Sequence, residues 1–147
     1  MALASSLIGT WRLLSREDRT ANGELRAEPA LGSDPHALLI YDRAGNFAAQ
    51  FMKRDRSASP GGPVVAKQAT NNSTAVGGYD AYFGSYTVDD ATSSVTQRLV
   101  GALSAADVGK VVTREMQIED GLLVIRIELT AADGVPVVRT LRWAREA

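Results

Sequence analysis

Cysteine is absent from the 147-residue chain, histidine occurs once, and no apolar run approaches the length of about 18 residues that a membrane helix needs. Without thiols there are no disulfides, no thiolate nucleophile, no Cys-ligated zinc and no iron–sulfur cluster. One histidine cannot build a multi-histidine metal centre, and His36, following Asp34-Pro35, reads as a surface loop residue. The expectation is therefore no metal and no cofactor. Net charge is lacking too, since 16 Lys+Arg against 17 Asp+Glu leave −1, so there is no electrostatic case for nucleic acid or a membrane as partner. Nucleophile-elbow, phosphate-loop and dinucleotide glycine motifs do not occur, which leaves hydrolase and nucleotide chemistry without support. No basic stretch precedes the short apolar segment Leu3 to Ile8, so a secretory leader is not expected and the cytoplasm is the expected location.

What is present is a hydrophobic fraction of 45%, normal for a soluble core, in a length that suits a single domain over 1–147. Asn22-Gly23, Gly45-Asn46, Asp120-Gly121 and Asp133-Gly134 fall between short runs of alternating apolar residues and supply the positive φ angles of tight hairpins. The clearest run is 122–130, with Leu123, Ile125, Ile127 and Leu129 on one face and Arg126, Glu128 and Thr130 on the other. Others lie at 10–17, 38–42, 46–52, 83–89, 94–101, 111–118 and 137–143, with a shorter one near 24–28. Eight or nine strands at hairpin spacing predict an all-β, antiparallel up-and-down sheet that closes on itself as a β-barrel. Two interruptions predict one or two short helices: a turn at 104–108, and a loop over 54–78 with a short helix near 65–70 above one barrel end.

Gly9-Thr10-Trp11 opens an ordered series: Trp11 to Ser15, then Leu39-Ile40-Tyr41-Asp42 leading to Gly45, then Tyr79 to Asp89, and finally Arg139-Thr140-Leu141-Arg142-Trp143. The series resembles the lipocalin-like domain family of small bacterial and fungal barrels and covers nearly the whole chain. Typical secreted lipocalins carry a leader, disulfides and a long C-terminal helix, so extracellular transport is not carried over. Where relatives often have a histidine on the strand after the Tyr-rich segment, this chain has Gln97. Closure of the barrel brings Trp11 near Arg142 or Trp143, and a guanidinium over the indole would plug the base. The resemblance implies the same plug, so Gly9, Trp11 and Arg142 are read as structural.

Candidate ligand-binding residues are Tyr79, Tyr82 and Tyr86, which join apolar area to a hydroxyl, and Phe51, directed with Phe47 and Ala49 into the core or cavity. Tyr82 and Phe83 also read as a plug at a loop-to-strand junction. Arg114 shares strand parity with Val112, Met116 and Ile118, so it is the charged residue most suited to face the interior, unless a bulge turns it out. There it would hold a ligand carboxylate, as the resemblance to fatty-acid-binding barrels also implies, with Gln97 completing the polar end. Asp80 and Glu115 are expected on a solvated face. The leading reading is binding of a small hydrophobic ligand, carboxylate-bearing if Arg114 points inward, inside the barrel cavity. The alternative is a cofactor-independent isomerase, cyclase or hydratase drawing its acid and base from Tyr79, Asp80, Tyr82, Tyr86, Arg114 and Glu115. A third is a barrel filled by its own side chains and serving association, with an exposed apolar outer face as the mark of a homodimer.

Overall fold

The structure, a computed structural model, describes residues 2–56 and 75–146. A short helix α1 (Leu3–Leu7) leads into β1 (Gly9–Thr20), β2 (Leu25–Arg26), β3 (His36–Tyr41), β4 (Asn46–Met52), β5 (Tyr79–Asp89), β6 (Ser94–Ala102), β7 (Val111–Glu119), β8 (Leu122–Thr130) and β9 (Pro136–Arg145). All pairings are antiparallel, β3 to β9 follow one another in space, and β9 returns to β1. The expected all-β, up-and-down barrel is thus observed, with eight strands in the closed cylinder and β2 added beside the far half of β1.

Period-two patterning decides which side chains fill the cylinder. On β8, Leu123, Ile125 and Ile127 are buried while Glu128 is exposed. The β7–β8 hairpin turns on Asp120 (φ 52) and Gly121 (φ 79), two consecutive positive angles that match the twist of the flanking strands. Two bulges break the simple alternation. In β1 the register with β9 shifts between Leu13 and Ser15, so Trp11 and Leu13 point inward before it and Arg16 and Asp18 after it. In β6 the shift places Gly101 opposite Phe83 but Leu99 opposite Gly84. There the β6 backbone presses onto β5 so closely that a Cβ on Gly84 would lie 1.7 Å from the Arg98 carbonyl oxygen.

Both ends are covered. At one, α1 sinks Leu3 and Leu7 into the core. At the other, the chain between β2 and β3 buries Leu31 and Pro35, and Ala75 joins the same core. Arg16 ties that connection down, donating from Nη1 to the Gly32 carbonyl (3.0 Å) and standing 2.6 Å from Glu28 Oε1, at an angle too oblique for an aligned hydrogen bond. The first strand is longer than the expected 10–17, and α1 was not anticipated. The expected turn at 104–108 is a 3-10 turn at Ala105–Asp107. The expected helix near 65–70 lies outside the described residues.

Candidate functional site

The closed end explains the Gly-x-Trp opening. Trp11 is buried, and its indole N–H donates to the Leu7 carbonyl at 2.9 Å. The Arg145 guanidinium lies 4.3 Å above the indole centroid and donates to the carbonyls of Ile8 (2.7 Å) and Ser6. One cation therefore stacks on the ring and satisfies carbonyls at the end of α1. Gly9, at φ +139, makes room: a Cβ there would sit 2.5 Å from Arg145 Nη1. The plugging arginine is thus Arg145, not Arg142. Trp11 registers opposite Arg145 on β9, whereas Arg142 has the opposite parity to Trp143, points outward and meets Glu17 at 3.5 Å.

Above this plug lies a cavity of about 20 Å³. Its polar wall is Tyr41, Tyr82, Gln97 and Arg114; its apolar wall includes Leu39, Phe51, Met116, Ile125, Ile127, Leu141 and Trp143. The Gln97 side-chain amide donates to the Tyr41 hydroxyl at 2.6 Å, which fixes the direction of the tyrosine's own proton. That proton finds only the Met116 thioether, 3.7 Å away, a weak acceptor. Among the described residues the Arg114 guanidinium and the Tyr82 hydroxyl make no hydrogen bond, and the buried Trp143 indole N–H has no partner.

Burial pushes the ionisation of Tyr41 and Tyr82 well above the usual tyrosine range, so both hydroxyls remain donors. The same desolvation lowers the Arg114 pKa, because no carboxylate offsets it. Another interior arginine is matched. Arg139 grips Asp18 through two hydrogen bonds of 2.7 and 2.9 Å, both residues being buried. No carboxylate lines the cavity among the described residues. The site is rich in donors and short of acceptors.

A model of the lipocalin-like domain family matches residues 8–146. The chain belongs to the lipocalin-like domain family. Comparison with curated proteins finds no match. In this lipocalin-like barrel the Tyr-rich strand divides by parity. Tyr82 lines the cavity and Tyr86 points inward beneath it, its ring edge-on to Tyr41 at 4.8 Å and its hydroxyl donating to the Asp42 carbonyl at 2.6 Å. Tyr79, three residues from Tyr82, falls on the outer face with the Arg56 guanidinium 5.8 Å over its ring, and it does not line the cavity.

Phe83 also points outward and is 55% exposed, so it plugs nothing. Asp80 is buried on the inward parity rather than solvated, while Glu115 is exposed and His36 is exposed beside Arg54, 2.7 Å from its guanidinium. Sequence reasoning missed Tyr41, although Ala37, Leu39 and Tyr41 share one parity. It also missed Trp143 and the Asp18–Arg139 pair as parts of the lumen.

Proposed function

We propose that this lipocalin-like barrel binds a small, largely apolar molecule carrying one carboxylate or similarly charged oxygen, held by Arg114, Tyr82 and Tyr41. The observation that carries the reading is the set of inward donors: Arg114 and Tyr82 bond no acceptor among the described residues, and Tyr41 meets only a thioether. A buried polar group left without a partner costs about 1–3 kcal/mol, of which the part-buried Arg114 and Tyr82 bear a share, and a ligand oxygen supplies what the described residues do not. Gln97 is a positioning residue, since its amide turns the Tyr41 proton toward the cavity. The cavity of about 20 Å³ has room for one water, so the ligand must widen it. Met116, unbranched and flexible, is the wall best able to yield. The expected setting is the cytoplasm, with neither metal nor cofactor required.

The test is calorimetric titration with matched aliphatic and aromatic acids, amides and alcohols. Acids should bind at least about tenfold more tightly than the alcohols of equal size, and Arg114→Met should abolish that preference. Equal affinity for acid and alcohol, or no binding of any probe together with no small molecule retained in native mass spectrometry, would overturn the reading. The small cavity favours a second reading, a barrel packed solid by its own side chains, and absence of binding across the whole series is the outcome it requires.

A further inference from the structure

We infer that the outer face of β3 to β6 is a self-association surface that joins two copies of this chain. The two sides of the barrel differ sharply in charge. On β1, β8 and β9 the outward residues include Arg12, Glu17, Arg19, Arg126, Glu128 and Arg142, laced by ion pairs such as Arg142–Glu17 and Arg19–Glu17. On β3 and β4 the outward positions run His36, Leu38, Ile40, then Asn46, Ala48, Gln50, Met52, with no carboxylate, lysine or arginine among them. From Tyr79 to Thr87 the outward positions of β5 are uncharged as well. Charge borders it, with Arg98 on β6, Asp42 and Arg43 in the β3–β4 turn, and at the far end Arg54 beside His36 and Arg56 over Tyr79. An uncharged centre inside a charged rim is the anatomy of a protein interface.

The centre is apolar and contiguous. Ile40, Ala48, Phe83 and Gly101 are consecutive cross-strand partners with Val100 beside them, and Val111 lies further on, across from Arg98. Exposure is 37% for Ile40, 55% for Phe83, 57% for Val100 and 59% for Val111. Together these side chains offer roughly 300–400 Å² of apolar surface, the size at which the largest patch of a monomer is often functional. A standard interface takes about 800 Å² per partner, somewhat more than half of it apolar, so the stripe and its uncharged surround supply most of what a dimer needs.

A second copy is the occupant because the face is complementary to itself. Phe83 lies across Gly101, whose Cβ, were there one, would meet the ring at 2.3 Å, and so forms a ridge. Beside it runs a groove of about 410 Å³ lined by Ile40, Ala48, Phe83, Val100 and, toward one end, Asn46, Ser85 and the carboxylate-bearing Asp42. Ridge and groove on one patch allow each Phe83 to bed in the other copy's groove about a two-fold axis. The charges nearest the groove, Asp42 at one end and Arg98 across from Ser85, are of opposite sign. The inference is independent of the ligand reading, since the groove lies outside the cylinder.

Analytical ultracentrifugation of the whole chain between about 1 and 500 µM tests it, the dimer being expected with a dissociation constant in the micromolar range. Ala48→Glu and Val100→Glu should each raise that constant by about 50-fold or more, whereas Leu14→Glu, on the charged side, should leave it unchanged. If either glutamate variant fails to fold, hydrogen exchange on the native chain replaces it, and protection at 46–50 and 81–85 should rise with concentration. A native chain that stays monomeric throughout overturns the inference, as does a dimer weakened by Leu14→Glu but not by the other two.

Discussion

Two arginines inside one barrel should respond to the same substitution with opposite signs. Arg139 is buried and held by Asp18 through a two-bond fork. Replacing it with methionine strands a buried carboxylate, and breaking such a pair costs about 3–5 kcal/mol. Arg114 is half-buried and faces only tyrosine hydroxyls, an amide and apolar groups. Its folded state carries a desolvation cost, added to by Arg139 and offset only in part by the Tyr82 and Tyr41 hydroxyls, with no carboxylate to meet it, and methionine fills a similar volume without that cost. Arg114→Met should therefore stabilise the ligand-free protein by about 1–2 kcal/mol, a modest figure because part of the guanidinium still meets water. For a chain of this size that is a rise in midpoint of about 3 °C per kcal/mol, against a fall of about 9–15 °C for Arg139→Met. Urea and thermal unfolding followed by circular dichroism give both numbers. Destabilisation of Arg114→Met by more than about 1 kcal/mol would refute the reasoning. It would mean that the guanidinium already has a partner in the folded chain, and the case for an anionic ligand would fall with it.

Gly84→Ala should cost more than about 3 kcal/mol or prevent folding, because the new methyl collides with β6 backbone; Gly101→Ala should cost under about 1.5, since its obstacle is the movable Phe83 ring. Urea midpoints compare the two, and equal losses would contradict the close approach at Gly84. Alkaline unfolding should set in above about pH 10: Tyr41 and Tyr82 stay protonated when folded and ionise when unfolded, so stability is full below the unfolded value and declines as pH rises past it. Near-ultraviolet titration should show these two hydroxyls ionising only with unfolding, and Tyr41→Phe should shallow the decline. Arg145→Ala should cost about 1.5–3 kcal/mol through loss of the indole contact and two carbonyl bonds, while Arg142→Ala stays within about 0.5. A reversed order in thermal midpoints would return the plug to Arg142.

Strand periodicity carried much of this architecture, and bulges mark where it stopped. The inward placement of Arg114 follows from sharing parity with Met116, and the split of Tyr79 from Tyr82 follows from their odd spacing. Arg139 was equally legible, lying on the parity of Val137, Leu141 and Trp143, yet its partner was not. Counted from Trp11 and Leu13, Asp18 belongs on the outside, and only the irregularity at Leu14 turns it in. The same irregularity, with the register of closure, sets Arg145 rather than Arg142 against Trp11. Nothing local encodes that register, because it depends on two strands at opposite ends of the sequence. The donor surplus was hidden for a related reason: Tyr41, Tyr82, Arg114 and Trp143 come from four strands, and only the closed cylinder brings them together.

The return of β9 to β1 also dictates an order of events in synthesis. The strand made first forms its longest ladder, from Trp11 to Thr20, with the strand made last, Pro136–Arg145. Until that strand emerges, one flank of β1 stands with unpaired amides and carbonyls, a template for any extended chain nearby. Topology of this kind makes folding slow, because the contact that completes the cylinder joins the first and last strands of the barrel. A nascent or truncated chain lacking β9 would thus be an open sheet prone to aggregate, and the barrel's protection against that fate arrives only with its final ten residues of strand.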